Sequence, residues 1–205
     1  MPGGDDDGSG TTALLGIARS IARKGVTFRK NVQLCAFSGE EQGLLGSRAY
    51  AREFKLTCSS TPAYRKAISL LTALFRGSDM LAYHVPGEPP QLGMPDRVGT
   101  PEVTQLVANL SAIYSPELVF GLTSACCSDH QSFHEQGYPA SQLFERAGPI
   151  ADPMYHTSGD FSDRVGFDFE QLRSIAKIQF ALLLHAAGFH LPEMKSILNT
   201  RALVL

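Results

Sequence analysis

Residues 31–38, "NVQLCAFS", limit the possible folds of this chain more than any other stretch. In an extended backbone Val32, Leu34 and Ala36 point to one side and Phe37 points to the other, so both faces carry apolar side chains. A strand with two apolar faces is typical of a parallel sheet that helices cover on both sides, because each face must be shielded from water. We therefore predict a buried strand here.

Helical patterns lie on both sides of this strand. Residues 11–25 place Leu14, Ile17 and Ile21 at helical spacing, and residues 43–54, "GLLGSRAYAREF", give a second helical pattern. Helices that alternate with buried strands indicate crossover connections in one sheet. The sequence therefore predicts an α/β fold in which helices flank a mostly parallel, mixed sheet.

The remainder of the chain continues this alternation. Pro101 follows a capping threonine, as at the start of a helix. The further predicted elements are helices over residues 100–114, 128–137 and 168–188 and strands over residues 117–122 and 139–145. Residues 66–77 fit a strand or a short helix equally well, and the Pro/Gly-rich residues 84–101 are predicted to form a long loop.

Composition and charge restrict the classes of function. The chain has 205 residues, 43% of them hydrophobic and 19% charged, which favours one globular domain. Its formal net charge is -2, so we expect no nucleic-acid partner. The apolar run at residues 180–184 is too short for a membrane span. Residues 1–4 lack the features of a signal peptide, so we expect none in this chain.

The cysteines do not form a metal-binding pattern. Cys35 lies in the apolar strand pattern and is predicted to be buried. Adjacent cysteines seldom bond each other, so a disulfide from Cys126 or Cys127 to Cys58 is possible. The cysteines therefore do not decide between an oxidising and a reducing compartment.

Acidic and imidazole groups occur where predicted strands give way to loops. They are residues 5–7, Glu40 with Glu41, Asp79 and His156. The carboxyl ends of strands border the ligand crevice of an open α/β sheet, so these groups are expected to converge. Carboxylates that converge without a cation repel one another, and oxygen donors with an imidazole suit zinc. One glutamate would then bind the metal while the other accepts a proton from metal-activated water.

Each of these groups also has a structural interpretation when it is taken alone. An aspartate run is more often a solvated turn or a helix cap, and paired glutamates before a helix often interact with its dipole. His156 alone would more often be structural. A structural or surface role is also expected for the other histidines, which are His84, His130, His134, His185 and His190. His130 lies beside Asp129 and could support a metal ligand.

Taken together, four motifs closely resemble the co-catalytic di-zinc aminopeptidases of the bacterial leucyl aminopeptidase and aminopeptidase Y type. The motifs are "PGGDDDGSGTTALL", "AFSGEEQGLLGSRAY", "SDHQSFHEQGYPASQLFE" and "YHTSGD". The resemblance runs from Pro2 to about Phe189. It implies a three-layer sandwich, with a catalytic domain over residues 1–190 and a tail over 191–205. Glutamate carboxypeptidase and glutaminyl cyclase are more distant relatives, and the complete "SGEEQGLLGS" disfavours the cyclase branch.

The resemblance also implies a role for each residue of the site. Asp6 would bridge two zinc ions and precede a cis peptide bond to Asp7. Glu40 would be the general base and Glu41 a zinc ligand. The remaining ligands would be Asp79 and His156. The residues expected to support these ligands are Asp7, Asp129, His130 and Asp160.

Two departures from the family pattern qualify these expectations. The family's histidine ligand in an HxD motif, on a strand before the triple-Asp loop, has no counterpart here, so we expect the first strands to be missing. One zinc position would keep Asp6, Glu41 and His156, whereas the other would keep Asp6 and Asp79 alone. The second departure is "LFRGSDM", because Arg76 and Gly77 fit poorly in a buried parallel strand.

The leading prediction from the sequence is a zinc exopeptidase that removes the N-terminal residue of peptides with a free N-terminus. The alternative is a catalytically impaired member of this fold that acts as a binding module. Carboxypeptidase-like or cyclase activity in the same fold is a third possibility. Secretion is common in the family, and the oligomeric state is left open.

Overall fold

The computed structural model describes residues 1–59 and 75–192. Its helices and strands alternate along the chain. In chain order they are α1 Gly8–Lys24, β1 Thr27–Phe28, α2 Leu45–Ser59, β2 Phe75–Ser78, β3 Gln91–Pro95, α3 Pro101–Tyr114, β4 Val119–Thr123, α4 His130–His134, β5 Ala140–Leu143, α5 Phe169–Ala187 and β6 Phe189–His190.

Two parallel strand pairs make up the centre of the fold. β2 pairs with β5, and β3 pairs with β4. An antiparallel bridge joins the pairs, because Gly93 and Phe144 exchange backbone hydrogen bonds of 2.7 and 3.0 Å. A Cβ atom at Gly93 would lie 2.1 Å from the Arg146 carbonyl oxygen, so this crossing point requires glycine. The predicted mixed α/β sheet is confirmed.

Helices cover both faces of this sheet. On one face α1, α3 and α5 pack together, and their core includes Leu92, Leu143 and Ile178. On the other face Ala51 of α2 and Phe133 of α4 pack against Ala140 of β5. Ala140 and Leu143 are an odd number of positions apart, so they point to opposite faces of the strand. The three layers agree with the sandwich that the resemblance implies.

Local signals fix the ends of the main helices. α1 ends at Gly25, which has a left-handed φ of 61°. The side chain of Asp168 accepts hydrogen bonds from Glu170 N and Gln171 N at the start of α5. Thr100 is the N-cap of α3 with Pro101 next to it, as predicted. No described helix is long and apolar enough to cross a membrane.

The prediction of a buried strand at residues 31–38 is wrong. This segment forms no ladder with any described strand, and Leu34 and Cys35 are exposed. Apolar side chains can make a strand favourable, but a ladder also needs a neighbouring backbone that supplies hydrogen bonds. Without one, the segment runs irregularly along the edge of a cavity beside α1.

Two other loop and strand predictions are also corrected. Residues 84–101 are not a continuous loop, because β3 lies within them and buries Leu92 and Met94 completely. Pro95 is the last residue of that strand, where a missing N–H disturbs the pairing least. Arg76 and Gly77 do lie in a parallel strand, since β2 pairs through its backbone with β5. Residues 60–74, which include most of the 66–77 prediction, lie outside the described residues.

The disulfide expectation is corrected as well. Cys126 and Cys127 are bonded to each other, with Cα atoms 3.7 Å apart. Cys127 has a left-handed φ of 82°, which turns its side chain back toward its neighbour. A bond from either cysteine to Cys58 is therefore absent.

Candidate metal centre

Asp6, Glu41 and His156 come from distant parts of the chain and meet at one point. His156 Nε2 lies 3.1 Å from Asp6 Oδ2 and 3.0 Å from Glu41 Oε1. One donor atom from each residue lies within 4.8 Å of the other two. The predicted convergence of these three side chains is therefore present in the fold.

The loop before α1 positions Asp6 through its backbone. The carboxylate of Asp160 accepts hydrogen bonds from Asp5 N at 3.0 Å and from Asp6 N at 3.1 Å. The Asp6–Asp7 peptide bond is cis, as the resemblance implies. Asp7 then caps α1 by accepting a hydrogen bond of 3.0 Å from Gly10 N. Asp160 and Asp7 thus fix the backbone on both sides of the Asp6 carboxylate.

A tight turn before α2 positions the two glutamates. The Glu40 carbonyl oxygen accepts hydrogen bonds from Gly43 N at 2.9 Å and Leu44 N at 2.8 Å. Gly39 begins this turn with φ 71°, a conformation that favours glycine. The chain therefore folds back at Glu40, and Glu41 reaches Asp6 and His156.

Asp79 follows directly after β2 and is buried beside the same group. A Cβ atom at Gly10 would lie 2.3 Å from the Ser78 carbonyl oxygen, so α1 can approach the end of β2 only with glycine at this position. Asp79 Oδ1 has no hydrogen-bond partner among the described residues. Asp79 is not among the three donors that meet at His156.

The crowded carboxylates raise one another's pKa values. Burial, followed by the charge of Glu41, raises the pKa of Asp6 to about 6. Burial and the charge of Asp79 raise the pKa of Glu40 to about 7. Burial and Asp6 raise the pKa of Asp79 to about 7. Negative groups this close together favour a bound cation, whose charge would offset their mutual repulsion and the cost of burying them.

The predicted supporting residues Asp129 and His130 lie at the start of α4. Burial raises the pKa of Asp129, whose Oδ1 has no hydrogen-bond partner among the described residues. Burial lowers the pKa of His130 to about 4, so its ring is neutral at pH 7. Both residues line a cavity together with Asp6 and Glu40.

Behind the metal centre lie charged side chains that include two which no sequence motif indicated, Asp152 and Arg164. Asp5 is completely buried, and its carboxylate accepts hydrogen bonds from the backbone N–H groups of Leu81, Ala82 and Tyr83. Arg164 reaches Asp5 at 3.7 Å and also contacts Asp152 and Asp160. A single arginine in a loop carries no recognisable signal, although Asp5 belongs to the acidic run.

Two cavities open beside the metal centre and share Asp6, Glu40, Glu41 and Asp79. The larger cavity has a volume of about 550 Å³ and extends between α1 and residues 33–37. The smaller cavity, of about 380 Å³, is bordered by His156 and by apolar side chains. We call them the large cavity and the small cavity.

Tyr155 was also missed by the sequence analysis. Its ring stacks on the His156 ring at a centroid distance of 3.8 Å and lines the small cavity. Burial and the charge of Asp6 raise the pKa of its hydroxyl to about 12, so this group stays protonated. The only signal in the sequence was its place immediately before His156.

A comparison with protein families matches residues 1–183 to the model described as peptidase family M28. The chain belongs to peptidase family M28. The resemblance predicted from the four motifs is confirmed at this level. Solved structures of aminopeptidases, among them a zinc aminopeptidase of Bacillus subtilis, share the fold of this chain.

Comparisons with individual proteins agree with this assignment. Leucine aminopeptidase 1 of Sclerotinia sclerotiorum is 30% identical over 176 residues, which is 82% of this chain and 43% of the relative. An aminopeptidase of Aneurinibacillus sp. strain AM-1 has 29% identity and a TM-score of 0.70, covering 91% of this chain and 40% of that one. LapA of Legionella pneumophila has 25% identity and a TM-score of 0.77, covering 91% and 49%. The chain thus spans about half the length of these M28 relatives.

The donors of this M28 chain fit a zinc ion. Zinc in proteins prefers imidazole nitrogen and carboxylate oxygen, and Asp6, Glu41 and His156 supply these atoms at one point. The Asp79 carboxylate beside them has an oxygen with no hydrogen-bond partner in the described part of the chain, which is also a suitable donor.

Proposed function

We propose that this chain supplies the general base and the metal ligands of a zinc-dependent aminopeptidase, which hydrolyses the N-terminal peptide bond of its substrate. The observation that carries the proposal is the convergence of Asp6, Glu41 and His156 beside Glu40 at the edge of one cavity. Because the chain spans about half the length of its relatives, the activity of the whole protein is part of this proposal.

Asp6, Glu41 and His156 would hold one zinc ion, and Asp6 with Asp79 would offer donors to a second. Zinc bound there would supply Lewis-acid activation of water and of the scissile carbonyl group. The described residues offer only carboxylates to the second position, so its affinity would be lower than that of the first.

Glu40 would move the proton in this reaction. Its carboxylate lines both cavities and lies next to the ligand Glu41 without being one of the three converging donors. From this position it would accept a proton from the attacking water and return it to the nitrogen of the leaving amine.

The acidic wall of the small cavity would select peptides by their free N-terminus. Asp6, Glu41 and Asp79 line this wall, and each can interact with a positively charged α-amino group. An internal peptide bond lacks that charge. The substrates would therefore be peptides cleaved from the N-terminal end.

Replacement of Glu40 tests this assignment. Glu40→Gln keeps the side-chain size but cannot accept a proton, so we expect kcat on aminoacyl 4-nitroanilides to fall by about 10²- to 10⁴-fold. Zinc content, measured by mass spectrometry, should stay unchanged. Glu102→Gln, on an exposed turn of α3, is the matched control and should keep full activity. Loss of zinc in Glu40→Gln would mean that the roles of the two glutamates are reversed.

The second candidate function is a binding module with little or no turnover. It is favoured by the unpaired segment at residues 31–38, where Leu34 is exposed beside the large cavity. One zinc ion or fewer with no turnover would support this alternative, whereas two zinc ions with turnover would exclude it. Secretion, which the resemblance implies for the family, remains a prediction that fractionation of the source cells would test.

A further inference from the structure

Gln142 is an uncharged polar residue in the wall of the small cavity, which both charged and apolar residues line. It lies near the end of β5, where its backbone pairs with Gly77 of β2, and it is only 3% exposed. Its side chain lines the small cavity together with Asp79 and His156. Gln142 therefore borders the space that a bound molecule would fill.

The Gln142 carbonyl oxygen faces no protein donor. Oε1 is buried and has no hydrogen-bond partner among the described residues. The same cavity has an apolar section of wall, where Met80, Ala125 and Phe144 form one buried cluster with Tyr155 packed against it. An apolar ligand would leave this carbonyl group without a donor, which is unfavourable in a buried site.

We propose that Gln142 makes the enzyme select peptides whose N-terminal residue carries a carboxamide side chain, glutamine or asparagine. This inference rests on the proposed function, because it places the N-terminal side chain in the small cavity. Asp6 and Glu41 line the small cavity, so an α-amino group held by them would place the side chain on the same carbon atom in that cavity. The N–H groups of a carboxamide side chain supply the donor that Gln142 Oε1 lacks.

Acidic N-terminal side chains fit this cavity less well. The carboxylates of Glu40, Glu41 and Asp79 line it and disfavour aspartate and glutamate. An uncharged polar side chain avoids this repulsion.

The test compares glutaminyl and leucyl 4-nitroanilides on the zinc-loaded chain. For the wild-type chain we expect kcat/KM to be at least about tenfold higher for the glutaminyl substrate, because only this substrate pairs the buried amide. Gln142→Met has a similar length without polar atoms and should reverse the preference. Gln105→Met, on the exposed side of α3, is the matched control and should keep it. A wild-type preference for leucine that Gln142→Met leaves unchanged would overturn the proposal.

A binding measurement separates this inference from the proposed function. Calorimetry with L-glutaminamide and L-leucinamide needs no turnover, and we expect at least about fivefold tighter binding of glutaminamide to the wild-type chain alone. Tighter binding without any hydrolysis would contradict the proposed function but support the role of Gln142. Equal binding of both amides, or binding of neither, would overturn the inference even if the chain hydrolyses peptides.

Discussion

Arg164 links the loop that carries Asp6 to the rest of the molecule. Its guanidinium group contacts Asp152 and lies 3.2 Å from Asp160, whose carboxylate accepts the backbone N–H groups of Asp5 and Asp6. Asp5, 3.7 Å away, is completely buried. The geometry of the metal centre therefore depends on one cation behind it.

Removal of this cation should destabilise the fold. Arg164→Met would leave buried carboxylates uncompensated, and we expect the free energy of unfolding to fall by about 3–5 kcal/mol. Urea denaturation followed by circular dichroism measures this change. Arg173→Met, on an exposed turn of α5, is the control and should change stability by less than about 0.5 kcal/mol. A loss in Arg164→Met as small as in the control would contradict this role.

Residues of the site differ in how far the sequence could identify them. Asp6, Glu41 and His156 lie in motifs whose sequences resemble those of a known family, so a role for each could be predicted from the sequence. Arg164 and Gln142 belong to no motif, and their importance comes from burial and from the neighbours that folding brings to them. Such properties depend on contacts across the chain and cannot be read from local sequence.

At the level of secondary-structure elements, His84 contacts Asp168, the residue that caps the N-terminus of α5. His84 Nδ1 lies 2.8 Å from Asp168 Oδ2, and its Nε2 lies 2.6 Å from the Glu88 carbonyl oxygen. Both partners are acceptors, so only the doubly protonated ring can donate to both. Burial acts to lower the pKa of His84, but hydrogen bonds to Glu88 and Asp168 outweigh it, and the pKa lies above its usual value of 6.5.

This raised pKa predicts a pH-dependent stability. A group whose pKa is higher in the folded state stabilises fully below its unfolded pKa and loses that effect as the pH rises through the folded pKa. The free energy of unfolding of the wild-type chain should therefore fall as the pH rises above about 6.5. Asp6, Glu40 and Asp79, whose pKa values are also raised, add to this fall up to about pH 7, so the fall should be shallower in His84→Gln but not abolished. His190→Gln, on exposed β6, should keep the full wild-type slope. Denaturant titrations from pH 6 to pH 9 measure these free energies of unfolding. A difference between wild type and His84→Gln that is the same at every pH would contradict the prediction.

Helices were predicted more accurately than strands, for a physical reason. The ends of α1 and α5 are set by Gly25 and Asp168, which act on groups within a few residues. A strand needs a partner from elsewhere in the chain. Residues 31–38 have the pattern without a described partner, whereas β3 has a partner in β4 despite its surrounding prolines and glycines.

At the scale of the whole molecule, the metal centre exists only because the sheet brings distant loops to one edge. Asp6 precedes α1, Glu41 precedes α2, Asp79 follows β2 and His156 lies in the loop before α5. The order of these loops could be predicted from the alternation of helices and strands. The distances of 3.0 and 3.1 Å around His156 could not, because they depend on how the layers pack.

Zinc affinity is the most direct test of the account, since it needs no assumption about the substrate. Competition with a chromophoric chelator would measure zinc binding to the wild-type chain, to His156→Ala and to the control His190→Ala. If Asp6, Glu41 and His156 hold zinc, His156→Ala should bind it more than about 100-fold more weakly than the wild-type chain, and the control should bind it equally well. Equal zinc affinity in His156→Ala and the wild-type chain would contradict the metal centre proposed for this chain.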